Sequence, residues 1–160
     1  MATDGQRGHL KALMRWLVAN EPRVHYAQVR PMRTIPLPEQ VAARRLAKGG
    51  SLTMDCSEAV TCLCKWAGLQ DPNGRRYDGS GYTGTLLAHL PHYTDPRRAL
   101  IGALVVYGPG DGDHVSMVLK PGADPLLWSH GVEAGPLTIR LSAQRRMHRP
   151  PVTFLSIAAL

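Results

Sequence analysis

The order of elements predicts an α+β domain, with N-terminal helices packed on a small antiparallel sheet. Three observations lead there. Apolar residues recur at helical spacing in the first half of the chain. Short apolar runs separated by Gly, Pro and Asp turns fill the second half. No internal repeat and no linker divides the 160 residues, so one domain is expected over 1–160. A chain of this length buries about two thirds of the surface its unfolded form exposes. It needs neither disulfides nor a structural metal to fold.

The elements follow in order. Leu10, Leu13, Met14 and Leu17 share one helical face, which predicts a helix over 5–19, stopped by Pro22. Pro31 and Pro36 forbid a long helix in 24–36, so that stretch is expected to be extended. Pro38 suits a helix start, 39–48 continues it, and Gly49-Gly50 stops it. A third helix is expected over 57–67, closed by Gly68. Residues 70–84, rich in Gly, Asp, Asn and Arg, read as a surface loop, and 85–90 as a short helix ending before Pro91. Strands are expected at 103–107, 115–119, 126–129, 137–141 and 152–157. Turns at 108–113 and 121–125 separate the first three.

Composition excludes several classes. Hydrophobic residues make up 44% and charged residues 19%, a globular rather than disordered balance. No apolar run approaches the roughly 20 residues of a membrane span. The first eight residues are polar and lack a signal core, so synthesis in the cytoplasm without a signal peptide is expected. The net charge of +7 suits anionic surroundings. The arginines are scattered as pairs with no RNA-binding aromatic motif or zinc-finger spacing, so nucleic acid is not expected as a partner. Cys56, Cys62 and Cys64 are an odd, clustered set and read as free thiols. Cys62 and Cys64 are one residue apart rather than two to four, so pairing with His89 and His92 around a metal is not expected. No cofactor is implied.

Chemistry points to Cys56. It stands at the expected start of the third helix, where unpaired N–H groups and the helix dipole favour a thiolate and can hold an oxyanion. The other reading of Cys56 is a small buried hydrophobe. A thiolate needs a base, and the base an orienter. Of seven histidines, His9, His25, His89, His92 and His148 read as surface or packed residues. His114 opens a strand after the 108–113 turn, a rigid platform for an imidazole. His130 ends the next strand. In a hairpin of the two, His114 and His130 lie together at the open end.

Asp55-Cys56-Ser57 opening a helix, His114-Val115-Ser116-Met117-Val118 opening a strand, and a polar residue one strand later resemble the NlpC/P60 cysteine peptidases. These are papain-like peptidoglycan hydrolases. The resemblance implies a papain-like fold, with Cys56 as nucleophile, His114 as base and His130 as orienter. It implies a substrate-binding role for Tyr26, which matches a tyrosine that lines the cleft and otherwise reads as a packed strand residue. It implies that Asp55 and Ser57 bind a free amine of the stem peptide; otherwise they read as helix caps. Glu58 stands where the family has glycine, an extra carboxylate expected near the cleft. Gly102-Ala103-Leu104 replaces the usual Gly-Asp-Leu. The implied partners are peptidoglycan stem peptides and anionic wall polymers, met by a monomer after release or as part of a virion. An actinobacterial phage lysin or tail enzyme fits this set. A CHAP-like amidase and a non-catalytic virion or wall-binding domain of the same fold stand as alternatives.

Overall fold

The computed structural model describes residues 1–131 and 135–158. Thr3 starts the first helix, α1 (Asp4–Ala19), with a capping box: its hydroxyl accepts from Gln6 N–H and its own N–H donates to the Gln6 side chain. A short 3₁₀ turn containing Pro22 leads into β1 (Val24–His25). Helix α2 (Glu39–Ala47) follows Pro38 as expected. Strand β2 (Leu52–Thr53) pairs with β1 in parallel and delivers the chain to α3 (Cys56–Trp66). Helix α4 (Thr83–His89) begins two residues before its expected start.

The remaining elements are β3 (His92–Tyr93), β4 (Leu104–Tyr107), β5 (His114–Lys120), β6 (Leu126–Ser129), β7 (Leu137–Arg140), α5 (Leu141–Gln144) and β8 (Val152–Leu155). Strand β3 and helix α5 were not foreseen. Among the described residues these strands form one antiparallel sheet of order β3-β8-β4-β5-β6-β7. The β5–β6 hairpin is the one expected.

Side-chain alternation divides the sheet cleanly. Leu104, Val106, Val115, Met117, Leu119, Trp128 and Leu155 face the helices and join the core of α1, α2 and α3. Val105, Tyr107, Val118, Leu127 and Phe154 face the other way and pack under Ala99, Ala103 and Leu141. The helical layer therefore covers one face, and the segments around 99–103 and α5 cover the other.

The 70–81 stretch is a loop, but not a loose one. Asp71 is buried and its carboxylate accepts from the N–H groups of Asn73, Arg75 and Tyr77. That holds Arg76 and Tyr77 at positive φ. Buried Asn73 donates to Thr61 on α3 and accepts from Thr85 on α4. A side chain at Gly81 would collide with Asn73. The glycine thus lets the loop close against α3 and sets the Gly81 carbonyl beside Cys56's neighbours.

Candidate active site

Helix α3 starts at Cys56 because Asp55 caps it. The Asp55 Oδ1 accepts from Glu58 N–H at 2.7 Å and from the Ser57 hydroxyl at 2.9 Å. The Cys56 thiol is free and 6% exposed. The N–H of Val115, the hydroxyl of Tyr26 and the N–H of Ser57 neighbour its sulfur and favour its charged form. The ladder explains why Val115 N–H is available. Val118 N–H bonds to Ala103 O, so the even-numbered residues of β5 bond to β4. Val115 N–H then points to the opposite edge, where β6 has ended at Ser129. Burial pushes the Cys56 thiol up, against these three donors. Helix position alone favours a thiolate; in the fold, burial opposes it.

His114 stands one residue before Val115, on the sheet face opposite α3. Its Nε2 lies 2.8 Å from Ser129 Oγ and 3.2 Å from Ser116 Oγ. Gln144 of α5 donates to Ser129 Oγ at 2.8 Å, and its Oε1 accepts from Ser116 and from Tyr107, each at 2.8 Å. One proton arrangement satisfies every group. His114 Nε2–H and the Gln144 amide donate to Ser129, Ser129 donates to Ser116, and Ser116 and Tyr107 donate to Gln144. The ring also stacks on His148 at 4.7 Å and 9°. Burial, then His148 and His130, lower the His114 pKa to about 3.

The expected orienter is not on this network. His130 is fully buried on the helical side of the sheet, with Nε2 2.9 Å from Met54 O and 3.1 Å from His25 O. The cause is a bulge between Val118 and Lys120. Carried back from the Lys120–Leu126 pair without interruption, the ladder would set His130 opposite Ser116. The bulge shifts the register by one, and Ser129 takes that place. His130 instead ties the β1–β2 bridge to the sheet. Sequence reasoning missed Ser129, Ser116 and Gln144. Alternation would have found the serines once the bulge was known; nothing in the sequence marks Gln144.

The other expected residues separate. Tyr26 lies against His130, ring centres 5.5 Å apart, and its hydroxyl meets Cys56 and Gln28. Burial and the neighbouring Cys56 push its pKa up to about 12, so it remains a donor. Asp55 Oδ2 pairs with Arg30 at 2.9 Å, and Arg30 also donates to Ser57 Oγ at 2.9 Å. Both residues are therefore helix-cap groups whose outward faces are taken by a guanidinium. Glu58 is not in the cleft. It is buried and accepts from Thr34 N–H at 2.7 Å, holding the 26–37 segment on α3. The cleft at Cys56 has a volume of about 310 Å³ and is bounded by Gln28, Arg30, Ser57, Tyr82, Thr83 and Asp113. Tyr82 is 44% exposed at its mouth. Cys62 and Cys64 are buried free thiols, as expected.

Two buried groups predict an unusual acid profile. Burial raises Glu58 from 4.5 to about 7, while burial lowers His114 from 6.5 to about 3. Between pH 4.5 and 7 the folded state holds a Glu58 proton that the unfolded chain has lost, so stability falls as pH rises. Between pH 3 and 6.5 the unfolded chain binds a His114 proton that the folded state refuses, so stability rises with pH. Each slope is at most about 1.4 kcal/mol per pH unit. They oppose between 4.5 and 6.5, where burial of His130 adds a second rising slope, and below 4.5 Glu58 no longer contributes. Wild-type thermal melts should rise gently from pH 5 to 6.5 and fall steeply below 4.5. Glu58→Gln should rise more steeply than wild type across that window; superimposable profiles would refute the assignment.

The chain matches no protein-family model and no curated protein. Its fold does match a solved structure, the peptidoglycan hydrolase RipB from Mycobacterium tuberculosis. The TM-score is 0.56 at 17% identity, covering 99% of this chain and 70% of that one. The α+β, papain-like architecture is therefore the fold of this protein.

Proposed function

We propose that this protein is a cysteine peptidase that hydrolyses amide bonds in peptidoglycan stem peptides. One observation carries the reading: a free cysteine sulfur, ringed by donors at a helix start, sits against the strand position next to a histidine with a built hydrogen-bond support. The fold shared with a peptidoglycan hydrolase supports the choice of substrate class.

Each group has a role. His114 Nε2 is held by Ser129, so Nδ1 is the nitrogen left to take the Cys56 proton. The thiolate attacks the scissile carbonyl carbon. Cys56 N–H and the Tyr26 hydroxyl face the oxyanion. The His114 imidazolium then protonates the leaving amine, and water hydrolyses the acyl-thioester with His114 again as base. Ser129 and Gln144 orient His114 and spread the charge it acquires, the part first expected of His130. The +7 charge would draw the enzyme to anionic wall polymers.

Digestion of purified peptidoglycan, with fragments weighed by mass spectrometry, tests this. A peptidase releases fragments with new ends inside the stem peptide. Intact stem peptides freed from the glycan would identify an amidase instead. Unchanged walls would reject both and leave a binding domain.

A further inference from the structure

The two carboxylates that line the cleft, Asp55 and Asp113, are each paired with an arginine. Asp55 gives Oδ1 to Ser57 and Glu58 N–H and Oδ2 to Arg30. Asp113 is held by Arg149 through two bonds of 2.8 Å. Glu58 is turned away to Thr34. Asp111 stands against Gly84 rather than among the lining residues.

Arg30 is placed firmly. Its Nε donates to Gly81 O at 2.8 Å, Nη1 to Val29 O and Nη2 to Ser57, and Nη1 forms an ion pair with Asp55 at 2.9 Å. Among the described residues these hydrogen bonds use three of its five N–H groups. The side chain is 31% exposed, and it lines the cleft beside Cys56. A peptide ammonium entering here meets a guanidinium and finds the lining carboxylates Asp55 and Asp113 already paired. An amide or carboxylate oxygen meets a spare donor.

We infer that Arg30 is a specificity-determining residue. By keeping Asp55 and Ser57 as its own partners, it commits the cleft to stem peptides whose amino end is acylated, and one of its remaining N–H groups receives an oxygen of that peptide. This deepens the peptidase reading and rests on it for the substrate class.

Binding separates the two. The Cys56→Ala protein, which cannot turn over, is titrated calorimetrically with a synthetic stem tripeptide bearing a free amine and with its N-acetylated form. The acetylated peptide should bind about tenfold tighter, the scale of one partly desolvated charge contact. Arg30→Gln in the same background frees Asp55 and should move the ratio about tenfold toward the free amine. Equal or tighter binding of the free amine to the Arg30 protein, binding of neither peptide, or an equal loss for both peptides in Arg30→Gln would overturn the inference. The first comparison needs no Arg30 variant to fold. Hydrolysis by the Cys56 protein is scored separately. Binding preference without turnover rejects the peptidase and keeps the role of Arg30; turnover with a free-amine preference does the reverse.

Discussion

Cys56→Ala should leave the protein folded and lower hydrolysis of a defined stem peptide by on the order of 10⁴-fold or more. The sulfur is the attacking atom, and no neighbour can replace it: Ser57 is bound to Asp55 and Arg30. The cost to the fold is small, because alanine keeps the helix start and Asp55 keeps its cap. Cys62→Ala and Cys64→Ala should behave in the opposite way. Both are fully buried in α3, and burial pushes both thiols far above their usual range. They should lose stability and keep turnover. Circular dichroism and kcat/KM for the three variants check this. Intact-mass measurement after a short pulse of iodoacetamide should show one added group, on Cys56. Turnover by Cys56→Ala would end the mechanism.

The second large effect separates three residues near the base. His114→Gln should reduce kcat/KM to background, since an amide cannot accept and return the thiol proton. Gln144→Ala and Ser129→Ala should each cost about 10- to 100-fold, mainly in kcat. Ser129→Ala removes the 2.8 Å partner of His114 Nε2 and Gln144→Ala leaves that partner unsupported, while the base itself remains. His130→Ala should act on the fold instead. It leaves the carbonyls of Met54 and His25 without their imidazole partner, a loss of roughly 1–3 kcal/mol. At a temperature where the variant is fully folded its kcat should stay within a few-fold of wild type. Urea titrations and kinetics on one peptide measure both quantities. A His130→Ala enzyme that is stable but dead, beside an active Gln144→Ala, would restore His130 as the orienter.

What the sequence made readable follows from the range of the interactions involved. The Cys56 helix was legible because its signals are local: an Asp cap before it, apolar spacing within it and Gly68 after it. The β5–β6 hairpin was legible for the same reason. Glu58 was misplaced because two residues along a helix turn a side chain most of the way to the far side, and Thr34 waits there. His130 was misplaced because one extra residue at Leu119 exchanges the faces of everything beyond it. Gln144 reaches His114 through tertiary folding, from a four-residue helix with no motif. Arg30 meets Asp55 by the same long route.

Strand β8 lies between β3 and β4, although both precede it by a long stretch of chain. Such non-local pairing makes its loop-closure cost before its contacts form, so docking of β8 belongs to the late, slow part of folding. Helix α5 is strung between β7 and β8, and with it Gln144. A chain that has built α3 and the β5–β6 hairpin but not yet seated β8 carries a cysteine on a helix and a histidine whose Ser129 partner is not yet held by Gln144. The competence to break an amide bond should then arise in the same cooperative step that buries Phe154 and Leu155. In a refolding time course, activity should lag the helical signal and rise together with the protection of β4 amides from hydrogen exchange.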